Sequence, residues 1–225
     1  RNTLSLHDAL PILLYSETLF HTATTGWQVE ALFFYFILAI AIGIYSIYFS
    51  KLSQRVKIWY AKIRNPYNKV WISGISLGAL IFIFPALYGE GYITLQQILD
   101  GEFNAVVKNS LFADYRNISW VVLCFSILTL FGKSFASLIT ISSGGNGGVF
   151  GPSLVMGGMA GFVFAYGINM TGMVELNVPN FVVAGMAGAL AGIMHAPLTS
   201  IFLIAEITGG YTLIIPLMLV SSIAY

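Results

Sequence analysis

Apolar residues fall into bands broken by short polar gaps: Ala31–Ser50, Val70–Tyr88, Ile118–Ser142, Val149–Met170, Phe181–Met194, Leu198–Ile207 and Tyr211–Tyr225. Several of these bands have the length a helix needs to cross a hydrocarbon core, about 20 mostly apolar residues. The last three are shorter, contain Gly or Pro, and are predicted to be tilted, broken or re-entrant helices. Irregular backbone at that depth is tolerated where protein or a water-lined cavity surrounds it.

Composition agrees with the pattern. Hydrophobic residues make up 57% of the chain and charged ones 8%, against roughly 25% charged in a soluble domain. The expectation is an all-α, multi-pass integral membrane protein lying in the lipid bilayer. Cys124, the single cysteine, excludes a disulfide framework and a thiolate cluster, and is predicted to be a packed thiol in an apolar helix. The opening stretch RNTLSLHDALPI has none of the features of a signal peptide. Residues 1–12 read as a non-native leader, and residues 13–225 as part of a longer membrane domain.

Charge sets the orientation. Between the first two bands lie Lys51, Arg55, Lys57, Lys62, Arg64 and Lys69, six of the chain's ten basic residues, with no acid among them. Short Lys/Arg-rich loops stay in the cytoplasm, so 51–69 is expected to be a cytoplasmic loop; a basic segment lying on anionic lipid fits the same placement. The stretch 89–117, with Glu90, Asp100, Glu102 and Asp114, is then an external loop, in which ITLQQILDG forms a short helix stopped at Gly101. A net charge of +1 in a chain mostly within the membrane argues against a nucleic-acid partner.

The candidate chemistry lies in SGGNGGVFGP, residues 143–152. Its glycines and Asn146 end any helix, and Pro152 suits the first turn of a new one. First-turn amides have no acceptor within their helix, and the macrodipole adds about half a positive charge there. In a low-dielectric site such amides replace an anion's hydration shell without holding the ion as a full charge would. The residues alone allow two readings: an anion site built on the amides of Val149 and Phe150, or a Gly-rich connection between packed helices.

Other positions each carry two readings. Glu206, the one carboxylate in the late bands, is a proton-relay candidate or a structural acceptor near Thr208. His195, before Ala196-Pro197, reads as a capping or interfacial residue. Together they would make an intramembrane enzyme if they faced one polar cavity. Lys133 either snorkels to the cytoplasmic interface or adds positive potential to an anion route. Trp71 and Trp120 read as interface anchors, and Phe33, Phe34, Tyr35 and Phe36 as lipid-facing or packed surface. No metal ligand set is evident.

At these residues the sequence resembles the CLC family of chloride channels and H+/Cl− exchangers. SSGGNGGVFGPSLVMGGMAG is similar to the family's G-x-F-x-P signature, with Gly148, Val149, Phe150, Gly151 and Pro152 as the signature residues. FPALYGEGY resembles its P-x-x-x-G-x-G-Y turn. FVVAGMAGALAGIMHAPLTSIFLIAEITGGYTLIIPLMLVSSIAY resembles its late helices and dimer-forming pair. The resemblance implies an inverted-repeat bundle of tilted and broken helices, mainly the second repeat, with ion sites where discontinuous helices point at the substrate.

It also implies chloride as the substrate ion, protons as a second partner, no cofactor, no enzymatic activity, and a homodimer with Ile201 and Ile214 at its interface. The location implied is the bacterial inner membrane. The family's other anion-site motifs, G-S-G-I-P and G-K/R-E-G-P, do not occur in this chain. For a compact protein of this family H+/Cl− exchange is the leading expectation, with a passive channel as the alternative and, because half the pore is missing, a non-transporting fragment as another.

Overall fold

Polar punctuation decides where the helices begin and end. In the computed structural model, residues 20, 26–89, 91–108, 110, 112–115, 117–145, 147–172 and 174–225 are described, and the proposed leader at 1–12 lies outside them. The first band is helix α1, Leu32–Ala61, entered through a 3-10 turn at Val29–Ala31. α1 does not stop at Ser50, and this corrects the expected loop. Lys, Gln, Arg and Leu are good helix formers with no breaker among them, so the helix runs on past the apolar band and carries Lys51, Arg55 and Lys57. The chain turns only at 62–65, where the Asn65 side chain accepts from the Tyr67 amide at 3.0 Å and α2, Pro66–Ile83, begins.

After a 3-10 turn at Pro85–Leu87 comes the short α3, Tyr92–Leu99. Gly101 ends that region in the left-handed conformation, φ 89°, as its position after ITLQQILDG predicts. Beyond a one-turn helix at Ala105–Lys108 come the long α4, Ser119–Ser142, and α5, Phe150–Met170. The late bands form α6, Val178–Met194, α7, Pro197–Ile207, and α8, Ile214–Ala224. Among the described residues, Val29–Ala61, Ser119–Ser142 and Phe150–Met170 are long and apolar enough to cross a membrane, while α6, α7 and α8 are shorter.

α6 is the hub. Nearly every residue from Val178 to Gly192 is buried, and the helix packs on α5, on α1 and α8, and on α7. The contact with α5 is backbone to backbone: a Cβ on Gly157 would strike the Gly185 carbonyl, and one on Gly161 would strike the Phe181 carbonyl. Membrane helices gain little from hydrophobic exclusion, so such close approach through small residues is what joins them. Tyr35 of α1 stacks on Phe181 of α6, centroids 4.2 Å apart, so of the aromatic run at 33–36 this ring is core while Phe33 and Phe36 are exposed.

The hydroxyls on α4 are satisfied locally: Ser126 donates to the Val122 carbonyl at 2.7 Å and Thr129 to that of Phe125 at 2.8 Å. Cys124, expected to be packed, is exposed on the same helix. A uniformly apolar helix carries no period that tells its inner face from its outer one.

Candidate anion site

The end of α4 and the start of α5 make the site. Ser143 donates its amide to the Ile139 carbonyl at 2.9 Å and Gly145 to that of Thr140 at 3.0 Å, with Gly144 at φ 101°. Carbonyls of the last turn are thereby closed off, in the manner of a left-handed helix cap. Asn146 lies outside the described residues.

α5 starts at Phe150, with Pro152 in its first turn as expected. Val149 is its N-cap with no side-chain cap, and Phe150, Gly151 and Pro152 form the first turn. The Ser153 amide is the first to bond back, to the Val149 carbonyl at 2.9 Å. Pro152 has no N–H, so the donors this start offers are the amides ahead of it, and none has an acceptor inside its own helix. Gly148 is exposed, Val149 and Pro152 are half-buried, and Gly151 is buried.

An open cavity of about 390 Å³ leads to this start, lined by Leu77 and Ile81 of α2, Leu87 and Gly89, Lys133, Ser137 and Thr140 of α4, and Gly147, Gly148 and Pro152. Lys133 is 4% exposed and does not snorkel. Its Nζ donates to the carbonyls of Leu87 at 3.2 Å and Gly89 at 2.7 Å. The ammonium thus ties the turn after α2 to the middle of α4 and places its charge in the cavity wall. Sequence reasoning weighed Lys133 without finding these partners, because backbone carbonyls carry no residue signature.

The remaining candidates fall elsewhere. His195 is the C-cap of α6 in the left-handed conformation, φ 54°, exposed, with its ring edge-on to Tyr225 at 5.9 Å. The capping role expected of it fits this geometry. Glu206 is exposed and accepts from the Tyr211 hydroxyl at 3.2 Å, whereas Thr208 donates to the Ile204 carbonyl at 2.6 Å. His195 lies just before α7 and Glu206 in its last turn, so the helix separates them. Among the described residues, His195 lines a cavity beside α1 and α8 that does not include Glu206.

Ile201 is buried at 4% within the chain and Ile214 is half-buried. The exposed large apolar residues of α7 and α8 are Leu198, Phe202, Ile215, Met218 and Ile223. Ile201 is covered within the protomer itself.

These features define an all-helical membrane protein with a discontinuous helix whose N-terminus meets an open cavity. The chain belongs to the voltage gated chloride channel family, whose profile matches residues 10–225. Among curated relatives, the H(+)/Cl(−) exchange transporter ClcA of Vibrio cholerae is 27% identical over 86% of this chain and 39% of its own length. A ClcB-like protein of Ralstonia nicotianae, named as a chloride channel protein, is 30% identical over 89% of this chain and 42% of its own. The chain thus spans about two-fifths of these relatives. The crystal structure of a slow cyanobacterial Cl−/H+ antiporter superposes with a TM-score of 0.66 at 20% identity, covering 96% of this chain and 47% of that one; the likeness is one of fold.

Proposed function

We propose that the chain is part of an H+/Cl− exchanger of the bacterial inner membrane and supplies one wall of its central anion site. Chloride is the transported ion, bound by the amides of Val149 and Phe150 at the start of α5. Gly147 and Gly148, which line the cavity, keep side chains out of the ion's approach, and Gly151 and Pro152 set the first turn. The observation that carries this reading is the uncapped start of α5 opening on a cavity that also holds the Lys133 charge.

The physical logic is one of balance. Amide dipoles compensate a chloride ion's lost hydration, while the absence of a directly coordinating cation lets the ion leave. Lys133 acts through distance: its ammonium is engaged by the Leu87 and Gly89 carbonyls, and it raises the potential of the approach without being a ligand. No cofactor enters the scheme. The outward face of α7 and α8 supports a homodimer.

Val149→Pro removes one amide at a position whose φ of −83° a proline can nearly adopt. A hydrogen bond to a charged group is worth about 1.5–3 kcal/mol, so chloride affinity of the intact protein should fall about ten- to hundredfold. Titration calorimetry showing unchanged affinity would remove the site. For the mechanism, a chloride gradient across liposomes holding the intact protein should drive proton movement. Chloride flux without proton movement would favour the passive channel, the reading to which the name of the Ralstonia relative lends weight.

A further inference from the structure

Residues Phe84–Gly89 and Gly91–Tyr92 form a strap across α4 and α5 that meets each where a side chain is missing. Leu87 sits on Gly132, where a Cβ would lie 3.2 Å from its Cδ1. Lys133, the next residue on α4, grips the strap through the Leu87 and Gly89 carbonyls. Gly91, at φ 88°, rests against Val155 of α5. The strap then delivers Tyr92 to Gly151: a Cβ on Gly151 would lie 2.9 Å from the phenol oxygen and 3.7 Å from Cζ. One turn further along α3, Leu95 fills the space left by Gly158.

We propose that Tyr92 is a positioning residue of the anion site, its phenol setting where the first turn of α5 lies and so where the Val149 and Phe150 amides point. The inference rests on the anion-site reading above. Gly151 is the second residue of α5, so whatever presses on it moves the donors directly. Tyr92 has little freedom to yield. Its backbone starts α3 immediately after the anchored strap, and the ring of Phe20, 1% exposed, packs edge-on against it at 5.7 Å. In a close-packed interior, a methyl added between the phenol and the helix must displace one of them, and with Tyr92 held by the strap and by Phe20 the displacement falls on the first turn of α5.

The test is a double-mutant cycle on the intact protein, read as chloride affinity and as the ratio of chloride to nitrate affinity. Gly151→Ala is expected to lower chloride affinity about tenfold or more, from the cost of overpacking, and to change the ratio. A fold-only defect would leave that ratio unmoved in the molecules that remain folded. Tyr92→Phe, which removes the oxygen the new methyl would meet, is expected to lose about threefold alone and to restore the double variant to its own level. A double variant no better than Gly151→Ala overturns the proposal.

Should Gly151→Ala not fold, Tyr92→Leu adds no atoms to the contact and is expected to lose about tenfold; wild-type affinity and ratio in that variant overturn the proposal equally. Val149→Pro separates the two levels. If it leaves chloride binding intact, the anion-site reading has failed. If it abolishes binding while the Tyr92 variants are silent, the failure belongs to Tyr92 alone.

Discussion

At Gly161 a hydrogen atom stands where any other residue would place carbon, directly against the Phe181 carbonyl. Alanine in a helix interior is worth up to about 1 kcal/mol over glycine, but overpacking costs about 1–3 kcal/mol. Gly161→Ala should therefore lower the thermal unfolding midpoint in detergent, and an unchanged or raised midpoint would show that α5 and α6 can part without cost. The small residues spaced through SLVMGGMAGFVFAY suit such close packing of membrane helices. They do not say which carbonyl lies opposite. The same limit hid the partners of Lys133, which lie 46 and 44 residues away and are main-chain atoms. It also hid Tyr92, whose hydroxyl is read against a Cβ that is absent.

Among the elements, the apolar bands locate the helices well and their ends less well. α5 starts at Phe150, inside the window set by Pro152 and the glycines before it, because those residues act locally. α1 overruns its band to Ala61, since the edge of a hydrocarbon layer is not a helix stop and the residues beyond it favour helix. The orientation inferred from the basic residues makes the α1–α2 turn cytoplasmic. In a Cys124→Ser background, needed because Cys124 is exposed, Arg64→Cys should react with a membrane-impermeant thiol reagent only from the inner side. Glu102→Cys should react only from the outer side. Labelling with the sides exchanged would invert the topology.

For the molecule as a whole, the resemblance points to α7 and α8 for association, and burial within the protomer bears on which of their residues are free to take part. Ile201 is buried inside the protomer, and the apolar residues spread around the eleven-residue α7 do not declare in advance which side faces inward. Phe202→Gln and Met218→Gln, on the outward face, should weaken a dimer of the intact protein about tenfold or more while leaving its fold intact. Sedimentation in detergent would check this, and an unchanged dimer would place the interface elsewhere. Ile201→Gln should instead destabilise the protomer, by burying an unpaired amide at about 1–3 kcal/mol.

The backbone contact between α5 and α6 has a mechanical meaning as well. Where main chains touch through glycine there are no side-chain rotamers to take up strain, so the pair has few ways to slide or tilt against each other. α8 and α1 also press on α6, there through side chains, with Val220 and Ile42 seated on Gly188. These four helices pack as one unit, with the first-turn amides of α5 at its rim. In the exchanger proposed above, that unit would serve as the stationary jaw past which other parts swing.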